Sequence, residues 1–230
     1  MSQTQDLLIE VGTEELPPKA LLKLSQAFHQ GVEQGLKNAE LSFDAIRAYA
    51  TPRRLALVIS KLQTQQDDLT VERRGPAVTA AFDEDGNPTK ALQGFARSCG
   101  VDVDDLETMQ TEKGAWLIFR QQQKGAETAT LLPDIIQQSL NALPIPKRMR
   151  WGDLPGEFVR PVHWLVVLLG DDIVPVELLG VSADRFTVGH RFHHPQPIRI
   201  STPMTYAPQL ETEGHVMVDY EARKQAIHGQ

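Results

Sequence analysis

The chain has one cysteine, Cys99, in 230 residues. It can form no internal disulfide, and a reducing compartment is expected. A long apolar run is missing too. The longest, Val162–Leu169, is interrupted by His163 and falls far short of the ~20 residues that cross a bilayer. The first residues lack the basic-then-apolar form of a secretory signal. There is no surplus of cations: the formal net charge is −7. That excludes a protein coated with basic residues to hold nucleic acid. It leaves room for a local basic face, because charges are screened beyond ~8 Å at physiological salt. No GxxxxGK[ST] loop, no strand-linked GxGxxG, no GxSxG elbow and no CxxC pair occurs. By motif alone this is not a self-sufficient enzyme. No internal repeat, low-complexity segment or clear linker is visible. What is left is ordinary globular composition, 41% hydrophobic and 23% charged, long enough for one large domain or two small ones. A soluble cytoplasmic protein with no membrane partner is expected.

The densest chemistry lies in Leu143–Gly170, LPIPKRMRWGDLPGEFVRPVHWLVVLLG. A proline turn leads into Lys147, Arg148, Arg150 and Trp151, followed by a glycine-bearing loop, Arg160 and a buried strand. This reads as a basic, aromatic loop fixed to the core. Two arginine pairs sit at other strand ends. Arg53 and Arg54 follow Pro52 at the start of LALVISKL, and Arg73 and Arg74 close VERRG before Pro76. Phosphates favour arginine because its planar fork donates paired hydrogen bonds, and aromatic neighbours can stack on unpaired bases. Each arginine has a plainer reading as a partner of nearby carboxylates. The segment RFTVGHRFHH is the second concentration, with His190, Arg191, His193 and His194. Its H-x-x-H-H spacing lacks a Cys or carboxylate partner, and Pro195 and Pro197 oppose a helix, so no metal site is expected. Asp83–Gly86 is an acidic turn without the later ligands of a calcium loop. Cys99 reads as a small core residue.

The periodicities place these segments. Asp6–Val11 reads as a strand. Pro17 and Pro18 suit the first turn of a helix whose apolar stripe is Leu21, Leu24, Phe28, Val32 and Leu36. Gly31 and Gly35 weaken this helix or let it approach a neighbour. Glu14 and Glu15 precede it, where the helix dipole favours negative charge; acid–base work is the less favoured reading. Strands are expected over Ala45–Thr51, Leu55–Leu62 and Ala115–Gln121. A helix capped by Asn87 and Pro88 carries Leu92, Phe95, Ala96 and Cys99 and stops at Gly100. Val101–Met109 suggests another short helix. Leu131, Leu132, Ile135, Ile136 and Leu140 define a further helix. His163–Leu169 and Ile173–Leu179 read as a hairpin turning at Gly170–Asp172, with Pro175 at an edge or bulge. Thr202 or Ser201 can cap a helix from Pro203, with Tyr206 and Leu210 inward. His215–Val218 reads as a short strand, and Asp219 caps a last helix that stops soon after it begins, as if the natural chain runs on. The expected fold is α+β, with mixed, mostly antiparallel sheets, packed helices and a small helical insertion near 83–108. The expected division is residues 1–142 and residues 143–230.

Several segments, in order, carry a resemblance: LLIEVGTEELPPKAL, ATPRRLAL, LPIPKRMRWG with FVRPVHW, and GHRF followed by DYEARK. Together they resemble the N-terminal part of the bacterial glycyl-tRNA synthetase β subunit, over essentially the whole chain. The resemblance implies a tetramer of two α and two β subunits that joins glycine to its tRNA with ATP. The α subunit would hold the aminoacylation site and use ATP with magnesium; this part of β would need no cofactor of its own. Its partners would be the α subunit, the glycine tRNA and the remainder of the β chain. No catalytic residue is implied here. The candidates for tRNA or partner contact are Arg53, Arg54, Arg73, Arg74 and Arg160, the loop residues Lys147, Arg148 and Arg150, and His190 with Arg191. Two other readings compete. One is a scaffold for α that does not touch RNA. The other is an editing-type module built on His190, His193 and Glu14, which is less needed because glycine is the smallest amino acid.

Overall fold

LLIEV, an apolar run with one charge in its middle, becomes the central strand. The computed structural model describes residues 3–83, 85–111, 114–153 and 156–229. Glu84 of the acidic turn, and Leu154 and Pro155 of the glycine-bearing loop, lie outside the described residues. In chain order the elements are β1 (Thr4–Thr13), α1 (Pro18–Asn38), β2 (Ala45–Thr51), β3 (Arg54–Gln63), β4 (Leu69–Ala77), α2 (Val78–Ala81), α3 (Lys90–Cys99), β5 (Glu107–Thr111), β6 (Gly114–Gln123), α4 (Thr128–Asn141), β7 (Val162–Leu169), β8 (Asp172–Ile173), β9 (Glu177–Leu178), β10 (Val181–Asp184), β11 (Phe186–Val188), β12 (Pro197–Arg199), α5 (Tyr206–Thr212) and α6 (Tyr220–His228). The fold is α+β and mostly antiparallel. The pairing of β10 with β7 is parallel.

The chain forms two compact units. One joins residues 1–66 to 126–230, and the other is residues 67–125. This differs from the division expected at 142/143. The cause is long-range pairing: β7 lies beside β1, with Leu7 opposite Leu169 and Val11 opposite Leu165.

The larger unit is built on a sheet of order β2-β3-β1-β7-β10-β9, with β8 paired to β7. Successive side chains of a strand point to opposite faces. Leu7, Ile9 and Val11 therefore join one core with Leu24, Phe28 and Val32 of α1 and Leu132 and Ile136 of α4. Leu8, Trp164, Val166 and Leu168 join a second core with Ile198, Ile200, Tyr206 and Leu210. The helices α1 and α4 cover one face, and the β11–β12 ribbon and α5 cover the other. Burial on both faces explains why β1 and β7 read as continuous apolar runs. The α1 stripe is buried as its spacing required. Gly31 and Gly35 serve close approach: a Cβ on them would lie 3.0 Å from Ser139 and 2.6 Å from Ile135 of α4.

Downstream, the expected hairpin after β7 is cut to two residues in β8, because Pro175 ends the ladder and β9 pairs β10 instead. His215–Val218 forms no strand; the Ala50 N–H donates to the Val218 carbonyl at 3.1 Å, a single contact on the edge of β2. Thr202 leads into a 3₁₀ turn at Pro203–Thr205 and then α5, with Tyr206 and Leu210 fully buried. Asp219 caps α6 by accepting from Ala222 N at 2.9 Å.

The smaller unit is more sheet than the expected helical insertion. Its strands run β4-β6-β5, all antiparallel. Val103–Asp105 is one 3₁₀ turn, and the next residues pair with β6 as β5. Helix α3 begins at Lys90 with Thr89 as its cap, accepting from Leu92 N. Asn87 does not cap because it is engaged in the preceding turn, donating its N–H to Asp83 Oδ1 at 2.7 Å. Gly100 ends the helix in the left-handed region at φ 73°, as a C-terminal glycine should. Among the described residues no helix is long and apolar enough to cross a membrane.

Candidate functional site

At the end of β1 the chain leaves the sheet through Gly12, Thr13, Glu14 and Glu15. Glu14 N–H donates to the Pro161 carbonyl at 2.9 Å, and Leu16 N–H donates to the Pro52 carbonyl at 2.6 Å. The β2–β3 turn and the approach to β7 are thereby held against the β1–α1 connection. Trp164, on β7, lies across Gly12 so closely that a Cβ there would sit 1.9 Å from the ring. Arg53 and Arg54 each place a guanidinium carbon 5.7 Å from the Trp164 ring centre.

Beneath this lies a buried polar cluster. Glu10 is fully buried. Its Oε1 accepts from Trp164 Nε1 at 3.1 Å and from Thr187 Oγ1 at 2.8 Å, and lies 3.5 Å from Arg54 Nη1. Arg54 also donates to the Val188 carbonyl. A buried charge is tolerable only when paired and hydrogen-bonded; Glu10 and Arg54 pair with each other, but Glu10 Oε2, Arg54 Nε and Arg54 Nη1 have no hydrogen-bond partner among the described residues. Tyr206 reaches the same cluster from α5. Its hydroxyl makes no well-formed hydrogen bond, and burial, followed by the charge of Glu10, pushes its pKa well above the usual range.

Above the cluster, Glu14 gathers basic side chains. His163 Nε2 lies 3.0 Å from its carboxylate, Arg191 Nη2 3.3 Å and Arg53 Nη2 3.9 Å. Arg160 donates to the Glu15 carbonyl at 3.1 Å. The loop after β11 is fixed by His190, whose N–H donates to the Gly214 carbonyl at 2.7 Å. Its Nδ1 accepts from Phe192 N at 3.2 Å and His193 N at 3.3 Å. Gly189 is needed there, because a Cβ would sit 2.9 Å from Gly214 backbone. Between these pieces opens a cleft of about 260 Å³ lined by Glu15, Pro52, Arg53, Arg54, Arg191 and Phe192, among others.

Five of the candidates are thus brought together in one place: Arg53, Arg54, Arg160, His190 and Arg191. The others are not. Arg148 closes the end of α4, donating to the Asn141 carbonyl at 2.8 Å and the Leu140 carbonyl at 3.5 Å. Arg150 pairs with Glu157 at 2.9 Å. Lys147 is exposed and shows no ion pair among the described residues. In the smaller unit Arg73 donates to the Ser98 carbonyl at 3.0 Å, and Arg74 stacks 3.7 Å above the Trp116 ring. The loop that looked densest in chemistry is therefore largely occupied with holding structure. Glu10, His163, Trp164 and Phe192 escaped attention as site residues, and Glu14 entered only through the acid–base and editing-type readings. A glutamate inside LLIEV was the available signal, since a charge in a buried strand demands a partner. His190 and His193 stack at 4.5 Å, and no group of three metal-ligating side chains occurs among the described residues.

The fold and cleft define a three-layer α+β module with a cation-rich cleft at one end of its central sheet. The family model for the glycyl-tRNA synthetase beta subunit matches residues 7–230, and the chain belongs to that family. It is 56% identical over 226 residues to the glycine–tRNA ligase beta subunit of Hahella chejuensis, covering 98% of this chain and 33% of that protein. To the same subunit of Marinobacter nauticus it is 52% identical over 224 residues, covering 97% of this chain and 32% of the relative. To that of Coxiella burnetii it is 50% identical, with the same coverage of 97% and 32%. The chain spans about a third of the length of the curated relatives it matches.

Proposed function

We propose that this chain is the N-terminal part of the β subunit of a tetrameric, cytoplasmic glycine–tRNA ligase. It supports ATP-dependent attachment of glycine to tRNA through contacts with the tRNA and the α subunit. The aminoacylation site, with its ATP and magnesium, belongs to α. The observation that carries this reading is the convergence of the segments that resemble the family. EVGTEELPP, TPRR, FVRPVHW and GHRF, far apart in sequence, meet around Glu14 and the cleft. DYEARK arrives nearby: Arg223 donates to the Ala50 carbonyl at 2.9 Å, one residue before Thr51 of the cleft wall. In a chain of net charge −7 this neighbourhood sets Arg53, Arg54, Arg160 and Arg191 against Glu10, Glu14 and Glu15. Local positive balance of that kind suits a polyanion.

The test uses full-length β with α and glycine tRNA over a salt series. Arg53→Gln/Arg191→Gln is expected to weaken tRNA binding and to flatten the salt slope by about two, one for each phosphate contact. Lys147→Glu/Arg150→Glu should leave both nearly unchanged. If the cleft pair instead releases α while tRNA affinity holds, the scaffold reading replaces this one.

A further inference from the structure

We propose that the cleft between Arg53, Arg191 and Phe192 receives a single unpaired nucleotide, its base stacked on Phe192 and its phosphate held by the two arginines. The inference rests on the tRNA-binding reading above and narrows it to one subsite and one kind of ligand.

Three observations point there. Phe192 is 81% exposed, the most exposed large apolar side chain among the described residues. It is nonetheless held in place: its N–H donates to His190 Nδ1 at 3.2 Å, and the His190 ring lies 6.2 Å away. An aromatic ring kept in water on a fixed backbone is a stacking platform, which is how proteins read bases that are not in a duplex.

Unused donors come next. Arg53 and Arg54 both line the cleft, and the buried Nε–H of each has no acceptor among the described residues. A buried donor without an acceptor is costly to the fold. The guanidinium groups a ligand can reach at the cleft are those of Arg53 and Arg191, whose side chains are 23% and 50% exposed, and arginine donates to phosphate in pairs. Glu14 holds Arg53 and Arg191 at 3.9 and 3.3 Å, distances long enough to exchange for a phosphate. Exposed ion pairs of this kind contribute little stability and so resist displacement weakly.

The third is size. At about 260 Å³ the cleft lies just below the usual range for a drug-sized ligand, ~300–1,000 Å³, and is far too small for a duplex. A base and its sugar match it. Pro52 and Val216 add apolar wall, while Glu15 on the rim can accept from a ribose hydroxyl or a base amino group.

The experiment uses the full α–β complex and glycine tRNA. Phe192→Ala should weaken tRNA binding by about tenfold, within the range measured for loss of one stacked base. Phe192→Trp should restore it, and Phe192→Leu, which keeps apolar area without a ring, should not. In parallel, p-benzoylphenylalanine in place of Phe192 is photolysed on the complex, and the joined partner is mapped. A cross-link to one nucleotide outside a base-paired stem is the expected result. Wild-type affinity in Phe192→Ala, or a cross-link to the α subunit or to a paired stem, would overturn the inference. Tight tRNA binding by the wild-type complex would still stand in those cases, leaving the broader reading intact. Only failure of the wild-type complex to bind tRNA removes both.

Discussion

Tyr206 shows how a single side chain makes the polar cluster measurable. Burial holds its pKa in the folded protein above the unfolded value of ~10. Below that pH both states keep the proton and nothing changes. Above it the unfolded chain ionises first, so stability falls as pH rises until the folded state ionises too. Tyr206→Phe is expected to remove this slope, so urea denaturation of variant and wild type should diverge only above about pH 10. At neutral pH the variant should be unchanged or up to ~1 kcal/mol more stable, because the hydroxyl it loses has no well-formed partner. A loss well beyond that would mean the hydroxyl bonds Glu10 or Arg54 in solution. Gly12 gives a second residue-scale expectation. Gly12→Ala should cost ~1–3 kcal/mol or more, the scale of overpacking, since the added carbon meets the Trp164 ring. Neither effect is legible beforehand. The sequence shows Glu10 and Gly12 in one segment and Arg54 and Trp164 in two others, and only the pairing of β1 with β3 and β7 makes them neighbours.

At the scale of elements, periodicity was enough wherever one helix face or one strand decided the matter. The α1 stripe, the α4 stripe and the Gly100 stop follow from local spacing and backbone freedom. Local signals failed where a partner competed. Residues 101–109 read locally as a short helix, yet β6 offers residues 107–111 a ladder, and Arg120 pins it by pairing with Glu107 at 2.7 Å and Glu72 at 3.1 Å. Two glycines in helices separate packing from propensity. Gly35→Ala should destabilise by ~1–3 kcal/mol because Ile135 stands in the way, at 2.6 Å. Gly94→Ala, with nothing within 4 Å, should stabilise by ~0.5–1 kcal/mol. Equilibrium unfolding of the two variants decides both. Arg148 belongs at this scale too: Arg148→Ala is expected to fray the last turn of α4, seen as faster amide exchange there, with no change in the affinity for RNA.

Across the whole molecule, the two chain ends of the larger unit that flank residues 67–125 are tied to each other. Gln66 N–H donates to the Ala126 carbonyl at 2.9 Å, and Gln65 bridges Glu127. Removing residues 67–125 and joining the ends through two glycines should therefore leave the larger unit folded, with its near-ultraviolet dichroism and melting cooperativity kept. Loss of cooperative melting would show that the larger unit depends on the smaller. An expected boundary at 142/143 missed this arrangement for a physical reason. Residues 128–141 look like the end of a domain by composition, but α4 packs on α1, and β7 completes the sheet that β1 began.

That closure of β1 by β7 sets a schedule for synthesis. The first three strands of the larger unit leave the ribosome together, but one edge of β1 stays bare until residue 169 follows. At ~5–20 residues per second, the roughly hundred intervening residues take about 5–20 s to appear. For that interval the nascent chain carries an open, strongly apolar strand edge, the form most prone to wrong pairing. The smaller unit, complete in one continuous stretch, is free to fold during the wait.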